Sequence, residues 1–318
     1  MLVASPEMID TVYIMSAGHS GSTLLNLMLG AHSRASAVSE LTHLPKNLAH
    51  NELCSCGRAI LDCPVWSAVI QRLGGRLGLD LLRDPYGLQL GYIGDDRAVY
   101  GTRLGRSYQL GWKIRRILVY VQQRTGIRMP GWTRHEFAKA QQVRLQAFEE
   151  IRAVTGEPVI VDASKEYLQG VDLYLRNPAR TRLILLVRDG RAVFYSNLRR
   201  NQAMEKAIDA WQKYYRHALP IIERRIPGEH VYRLRYEDLV SDTERQLRQI
   251  CQFMGLEFEP SMLAPQGNLQ HVTSGNNMRL SSNRSIKLDT TWTTALSADQ
   301  LDYFERHAGD LNRKLGYA

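Results

Sequence analysis

Four cysteines in 318 residues are too few to staple a domain of this size, and no stretch reaches the run of about 18 apolar residues that a membrane span requires. No apolar run of signal-peptide type stands near the N-terminus, so a soluble, cytoplasmic protein without a transmembrane segment is expected. Internal repeats and low-complexity tracts are also missing. Aromatic residues make up 8% of the chain and are not interleaved with Lys and Arg in a groove-like run. A nucleic-acid partner is therefore not expected, and the net charge of +9 is read as suiting an anionic ligand. A further absence bears on chemistry. "SAGHSGSTLLNLML" (Ser16 to Leu29) has the glycine and hydroxyl spacing of a phosphate-binding loop, yet Gly21 is followed by Ser22 where a nucleotide hydrolase carries lysine. An ATPase, a GTPase or a magnesium-dependent small-molecule kinase is disfavoured on that ground.

What is present alternates. "TVYIM" (Thr11 to Met15), "VIVDASK" (Val159 to Lys165), "RLILLVRD" (Arg182 to Asp189) and "HVYRLRYEDL" (His230 to Leu239) are apolar runs of strand type that mostly end in polar or charged residues. Helical segments separate them, which predicts an α/β fold with a parallel sheet buried on both faces. "SDTE" (Ser241 to Glu244) and "SADQ" (Ser297 to Gln300) have the spacing of helix capping boxes. Residues 64–156 break the alternation: they are rich in Arg, Tyr, Gly and Gln and show no convincing strand. They predict a mostly helical insertion over the carboxyl edge of the sheet, within a single domain spanning residues 1–318. Its aromatic residues Tyr86, Tyr92, Tyr100, Tyr108, Trp112, Tyr120 and Trp132 suit an acceptor pocket.

A loop that leaves a buried strand and enters a helix points backbone N–H groups at one spot, where the helix dipole adds about half a positive charge. Gly18 and Gly21 allow close approach of a phosphate, and Ser20, Ser22 and Thr23 offer hydroxyls. "LVRDGRAVFYSNLRR" (Leu185 to Arg200) leaves a second strand and sets Arg188, Arg191, Ser196, Arg199 and Arg200 within a few helical turns. The planar fork of arginine suits bidentate phosphate binding. "CSCGRAILDC" gathers Cys54, Cys56 and Cys63, with His50 nearby. The paired C-x-x-C spacing of a zinc ribbon is missing, so the cluster is read as a packed loop of reduced thiols and no metal ligand is assigned.

These segments resemble, in order, the motifs of the PAPS-dependent sulfotransferases, which use 3′-phosphoadenosine 5′-phosphosulfate as sulfuryl donor. "GHSGSTLL" is similar to their 5′-phosphosulfate loop, "VRDGRAVFYS" to their 3′-phosphate motif and "RYEDL" (Arg235 to Leu239) to the segment that follows it. The phosphate motif and "MLGAHSRASAVSE" (Met28 to Glu40) resemble the tyrosylprotein branch. "CSCGRAILDCPVW" and the run from Gly275 to Leu296 look more like bacterial members. The resemblance covers both ends and the sheet but not residues 64–156. It implies a P-loop-like sheet flanked by helices, a donor bound without obligatory metal, and a hydroxyl on a small-molecule, carbohydrate or lipid acceptor. A peptide tyrosine is the alternative acceptor, and a P-loop small-molecule kinase or a non-catalytic adenine-nucleotide-binding protein is the alternative of another class.

Residue by residue, the resemblance implies that Gly18, His19, Ser20, Gly21, Ser22 and Thr23 hold the 5′-phosphosulfate. Arg188 and Ser196 take the 3′-phosphate, Arg200 stands at the position of a further phosphate-binding arginine in the tyrosylprotein branch, and Arg279 resembles the arginine of a C-terminal segment that closes over the nucleotide. His19 stands where the family usually has Lys or Arg, a weaker electrostatic aid, and Lys165 resembles a catalytic lysine that carries the missing charge. Glu40 occupies the position of the branch's catalytic glutamate, with His43 as the other candidate base. Partial burial is expected to raise the Glu40 pKa towards a useful range. His32 is read as structural.

Overall fold

The computed structural model describes residues 8–90, 106–127, 131–265, 270–281 and 286–318. In the helices over 106–125 and 131–155, the side chains of 106–113, 115, 132–134, 136 and 137 fall outside it. Tyr92 and Tyr100, and the side chains of Tyr108, Trp112 and Trp132, therefore lie outside the described residues.

Strand β1 (Thr11–Met15) alternates two buried sets. Tyr13 and Met15 join one apolar cluster, and Val12 and Ile14 join the cluster on the opposite face. Strands β3 (Val159–Lys165) and β4 (Thr181–Val187) do the same, with Ile160, Leu183 and Leu185 on the first face and Val159, Val161 and Ile184 on the second. Such two-sided burial, worth about 1.5–3 kcal/mol for each large apolar side chain, is why these strands read as continuous apolar runs. With β2 (Ala35–Ser39) and β5 (Val231–Arg235) they form a five-stranded sheet of order β2-β3-β1-β4-β5, every pair parallel.

Helix α1 (Ser22–Leu29) follows β1, and α2 (Leu44–Ala49) follows β2. The stretch from residue 64 holds α3 (Pro64–Leu77), α4 (Arg106–Thr125) and α5 (Gly131–Thr155), with no strand among its described residues. Helix α3 packs on α5, which also touches β2 and β3. Beyond β3 come α6 (Tyr167–Arg176), α7 (Gly190–Leu198) and α8 (Met204–Arg225), then, after β5, α9 (Tyr236–Ser241) and α10 (Thr243–Met254). The chain closes with α11 (Trp292–Ala295) and α12 (Ala298–Lys314). No helix of the described residues is long and apolar enough to cross a membrane.

Three sequence expectations change. Strand β2 was not read, because "ASAVS" offers small residues with little strand signal. The run over His230 to Leu239 is strand only to Arg235, since Tyr236 already opens α9. The capping box at Ser241 does not form: α9 claims that residue, whose Oγ donates to the Glu237 carbonyl at 2.7 Å. The box at Ser297 and Gln300 forms in both directions.

The topology also decides where a ligand can enter. The connection from β1 through α1 to β2 runs to one side of the sheet, and that from β3 through α6 to β4 crosses back over β1. Such a reversal opens a crevice at the carboxyl ends of the strands.

Candidate active site

Every strand delivers a residue to that crevice. A cavity of about 760 Å³ is lined by the loop after β1, by Glu40 after β2, Lys165 at the end of β3, Arg188 after β4 and Tyr236 after β5. Segment 273–279 forms another wall, and Ser196 and Arg200 reach it from the region of α7. Six Lys and Arg side chains (Lys46, Lys165, Arg188, Arg200, Arg279, Lys287) face two carboxylates, Glu40 and Glu52. The cavity is thus built for an anion.

The loop over Gly18 to Thr23 takes its shape from local backbone. Gly21 is the N-terminal cap of α1 at φ 88°, a left-handed conformation natural to glycine, and a Cβ there would overlap the Tyr236 ring. His19 is also left-handed, at φ 63°. Gly18, His19, Gly21, Ser22 and Thr23 line the cavity, whereas Ser20 is fully buried and its hydroxyl does not. The hydroxyl of Thr23 accepts the Asn276 N–H at 3.1 Å, which leaves its own proton to donate and ties the loop to the far wall.

Arg188 donates from Nη1 to the His19 carbonyl at 3.0 Å, with its guanidinium 4.6 Å from the centroid of the Tyr236 ring. Arg191 is a structural residue instead: it pairs with Asp189 at 2.7 Å and lies over Trp292. Arg279 is buried in the cavity wall, with Nη1 on the Leu53 carbonyl at 2.7 Å. His32 is structural as expected, since Nδ1 accepts the Arg34 N–H and Nε2 therefore donates to the Glu257 carbonyl.

Ser39 and Lys165 end neighbouring strands in left-handed conformations, φ 55° and 71°, and the β2–β3 register shifts between Ala37 and Ser39. Glu40 and Lys165 are thereby turned towards each other. Lys165 Nζ donates to Glu40 Oε1 at 2.6 Å, and His43 Nε2 stands 3.2 Å from Glu40 Oε2. Burial acts to raise the Glu40 carboxyl, but the hydrogen bonds and charges of His43 and Lys165 together outweigh it and hold the pKa at about 2. This corrects the expectation of a raised Glu40. Burial, reinforced by the charges of Arg200, Lys165 and Arg188, keeps the His19 imidazole below its usual range. His19 is therefore a neutral donor or acceptor at neutral pH.

Sequence reasoning missed Lys46, Lys287 and Tyr236 as cavity residues. Tyr236 lies inside the "RYEDL" segment, while the two lysines stand in polar stretches that mark no ligand. The three cysteines do come together, but with His271 rather than with His50.

A parallel five-stranded α/β sheet with a cationic crevice at its carboxyl edge defines the class: an α/β protein whose site suits an anionic group. Residues 113–260 match the model of the sulfotransferase family. That match, over a little under half of the chain, supports the resemblance to the sulfotransferases read from the sequence. Among solved structures it is similar to the sulfotransferase domain of the Synechococcus PCC 7002 olefin synthase, at 21% identity and a TM-score of 0.47 over 95% of each chain. It is also similar to the sulfotransferase domain of the curacin biosynthetic pathway, at 18% identity and a TM-score of 0.46 over 98% of this chain and 99% of that one. Sulfotransferase STF9 from Mycobacterium avium matches at 11% identity and a TM-score of 0.47, over 98% and 78%. No curated protein matches the chain.

Proposed function

We propose that the enzyme transfers the sulfuryl group of 3′-phosphoadenosine 5′-phosphosulfate to a hydroxyl of a small-molecule, carbohydrate or lipid acceptor. One observation carries this reading: the helix N-terminus at Gly21, the Arg188–Ser196–Arg200 set and the Glu40–Lys165 pair open into one cavity. In this reading the N–H groups from Gly18 to Thr23 and the hydroxyls of Ser22 and Thr23 hold the 5′-phosphosulfate. Arg188, Ser196 and Arg200 hold the 3′-phosphate, and Arg279 stiffens the wall over the nucleotide.

In the reaction the acceptor oxygen attacks sulfur and forms the new O–S bond. The bond from sulfur to the bridging oxygen breaks, its electron pair stays on the leaving phosphate, and the hydroxyl proton passes to Glu40. Lys165 serves both ends. As charge grows on the leaving oxygen, its ammonium is drawn there; that removes one of the cations holding Glu40 at about 2, and the carboxylate becomes a better proton acceptor. The donor site needs no metal in this scheme.

Calorimetry without magnesium tests the donor assignment. Adenosine 3′,5′-bisphosphate is expected to bind far more tightly than AMP, and Arg188→Ala to erase most of that difference by removing a ground-state phosphate contact. Equal affinities for the two nucleotides would sink the assignment.

A further inference from the structure

Cys54, Cys56, Cys63 and His271 present four ligand atoms that all lie within 4.8 Å of one another. Cys54 Sγ and Cys63 Sγ are 3.7 Å apart, and His271 Nδ1 is 3.1 Å from Cys63 Sγ and 3.9 Å from Cys54 Sγ. In a tetrahedral zinc site, bonds of about 2.3 Å to sulfur and about 2.0–2.1 Å to nitrogen put the edges at roughly 3.8 Å for S–S and roughly 3.6 Å for S–N. The Cys54–Cys63 and Cys54–His271 edges have that size, the Cys63–His271 edge is about half an ångström shorter, and Cys56 stands within 4.8 Å of the other three. The Cys54–Cys63 edge is too long for a disulfide, whose sulfurs stand about 2.05 Å apart. A packed loop of thiols also gives no reason for an imidazole nitrogen to face into it.

We propose that these four side chains bind one zinc ion, a structural Cys3His site outside the cavity. The surrounding backbone is shaped for it. Gly57 at φ 83° closes a tight turn in which its N–H reaches the Cys54 carbonyl at 3.0 Å, which brings Cys54 and Cys56 round to one side. Cys63 caps the N-terminus of α3, where helix N–H groups and dipole favour a thiolate over a thiol. Trp66 Nε1, one turn into α3, holds the His271 carbonyl at 2.7 Å and so fixes the backbone of the fourth ligand. On binding, the three thiols release their protons to solvent and the imidazole binds neutral.

The ion explains how the far wall of the cavity is held. His271 begins the segment whose residues 273–279 line that wall, and the same loop grips it at other points. The Ser55 N–H donates to the Val272 carbonyl at 2.9 Å, and the Val272 N–H donates to Ser55 Oγ at 2.9 Å. A metal between Cys54, Cys56, Cys63 and His271 cross-links two segments about 210 residues apart in sequence, a long loop whose closure chain entropy opposes.

The test is metal analysis of the untagged full chain, purified without chelator or metal-affinity resin. One zinc per chain is expected, falling to roughly a tenth or less in Cys63→Ser and in His271→Ala. Should either variant fail to fold, wild-type protein stripped with chelator is titrated with Co(II). One equivalent is expected to give the near-ultraviolet thiolate-to-cobalt band and the visible absorption of a tetrahedral site. Wild-type protein that carries almost no zinc and gives no such band would overturn the site, as would a Cys54–Cys63 disulfide in peptide maps of the unreduced chain. Full zinc occupancy retained by the double variant Cys63→Ser/His271→Ala would overturn the ligand set.

Discussion

Replacing Glu40 by glutamine is expected to lower turnover by roughly a hundredfold or more while leaving the affinity for adenosine 3′,5′-bisphosphate near that of the wild type. Glutamine keeps the size of the side chain and can still accept from Lys165 Nζ and face His43, so the walls of the cavity persist. What it loses is the capacity to take the acceptor's proton. Steady-state turnover with a verified acceptor, paired with calorimetry, separates the two effects. Near-normal turnover in Glu40→Gln together with its abolition in His43→Ala would move the base to His43.

The same variant carries a stability signature with a definite sign. A carboxyl held at about 2 in the folded protein, against about 4.3 when unfolded, contributes stability that is fully present above pH 4.3 or so. That contribution is lost as pH falls through about 2. The margin of the wild type over Glu40→Gln in urea denaturation is therefore expected at neutral pH and shrinks below about pH 4.3. A margin that stays constant from neutral pH down to about pH 2.5 would contradict the Lys165–Glu40 pairing.

How much of this was legible depends on the range of each signal. Strands β1 and β3 coincide with the segments read as strands, because two-sided burial writes itself locally as mostly apolar runs, broken in β3 only by the buried Asp162 and the polar Ser164 and Lys165 at its end. The cavity residues Gly18, His19, Gly21, Ser22, Thr23, Arg188 and Ser196 were legible for a related reason: each belongs to a short strand-loop-helix unit whose order fixes where it points. The burial of the Ser20 hydroxyl was not, since it arises from tertiary packing around the loop, in which Tyr215 of α8 takes part by accepting the Ala17 N–H at 3.3 Å.

Relations between distant segments were hidden. Nothing in the local sequence says that Glu40 and Lys165, 125 positions apart, form an ion pair, so the expected rise in the Glu40 pKa had the wrong sign. The pairing follows from two left-handed residues, Ser39 and Lys165, at adjacent strand ends. Both conformations are disfavoured for residues other than glycine and persist only where the surrounding structure enforces them. His271 is a parallel case: it lies 208 positions from Cys63, whereas His50 was the histidine that proximity in sequence offered.

The insertion also braces the segment after Glu40, through Arg144 of α5 and Thr42, and removing the Arg144 side chain is expected to cost about 3–5 kcal/mol of folding stability in urea denaturation. Arg144 and Asp162 are both fully buried, with Nη1 of the guanidinium on Asp162 Oδ2. Nη2 donates to Thr42 Oγ1 and to the Leu90 carbonyl, each at 2.7 Å. Alanine would leave the Asp162 carboxyl with only the Ser164 N–H and hydroxyl as donors, in a setting where burial already pushes its pKa up against the pull of Arg144. The sign of the pH dependence follows. A buried carboxyl whose pKa is raised above its unfolded value binds its proton more readily in the folded state, so it costs stability as pH rises. Without Arg144 the rise is larger, and the deficit of Arg144→Ala relative to wild type is expected to grow from acidic to neutral pH. Adding Asp162→Asn removes the buried charge and is expected to recover a large part of the loss at neutral pH, a coupling that a double-mutant cycle measures directly. A deficit independent of pH, or no recovery in the double variant, would reduce Arg144 to ordinary packing. Because Thr42 loses a partner two residues beyond Glu40, the same variant is expected to lose turnover even under conditions where it is fully folded.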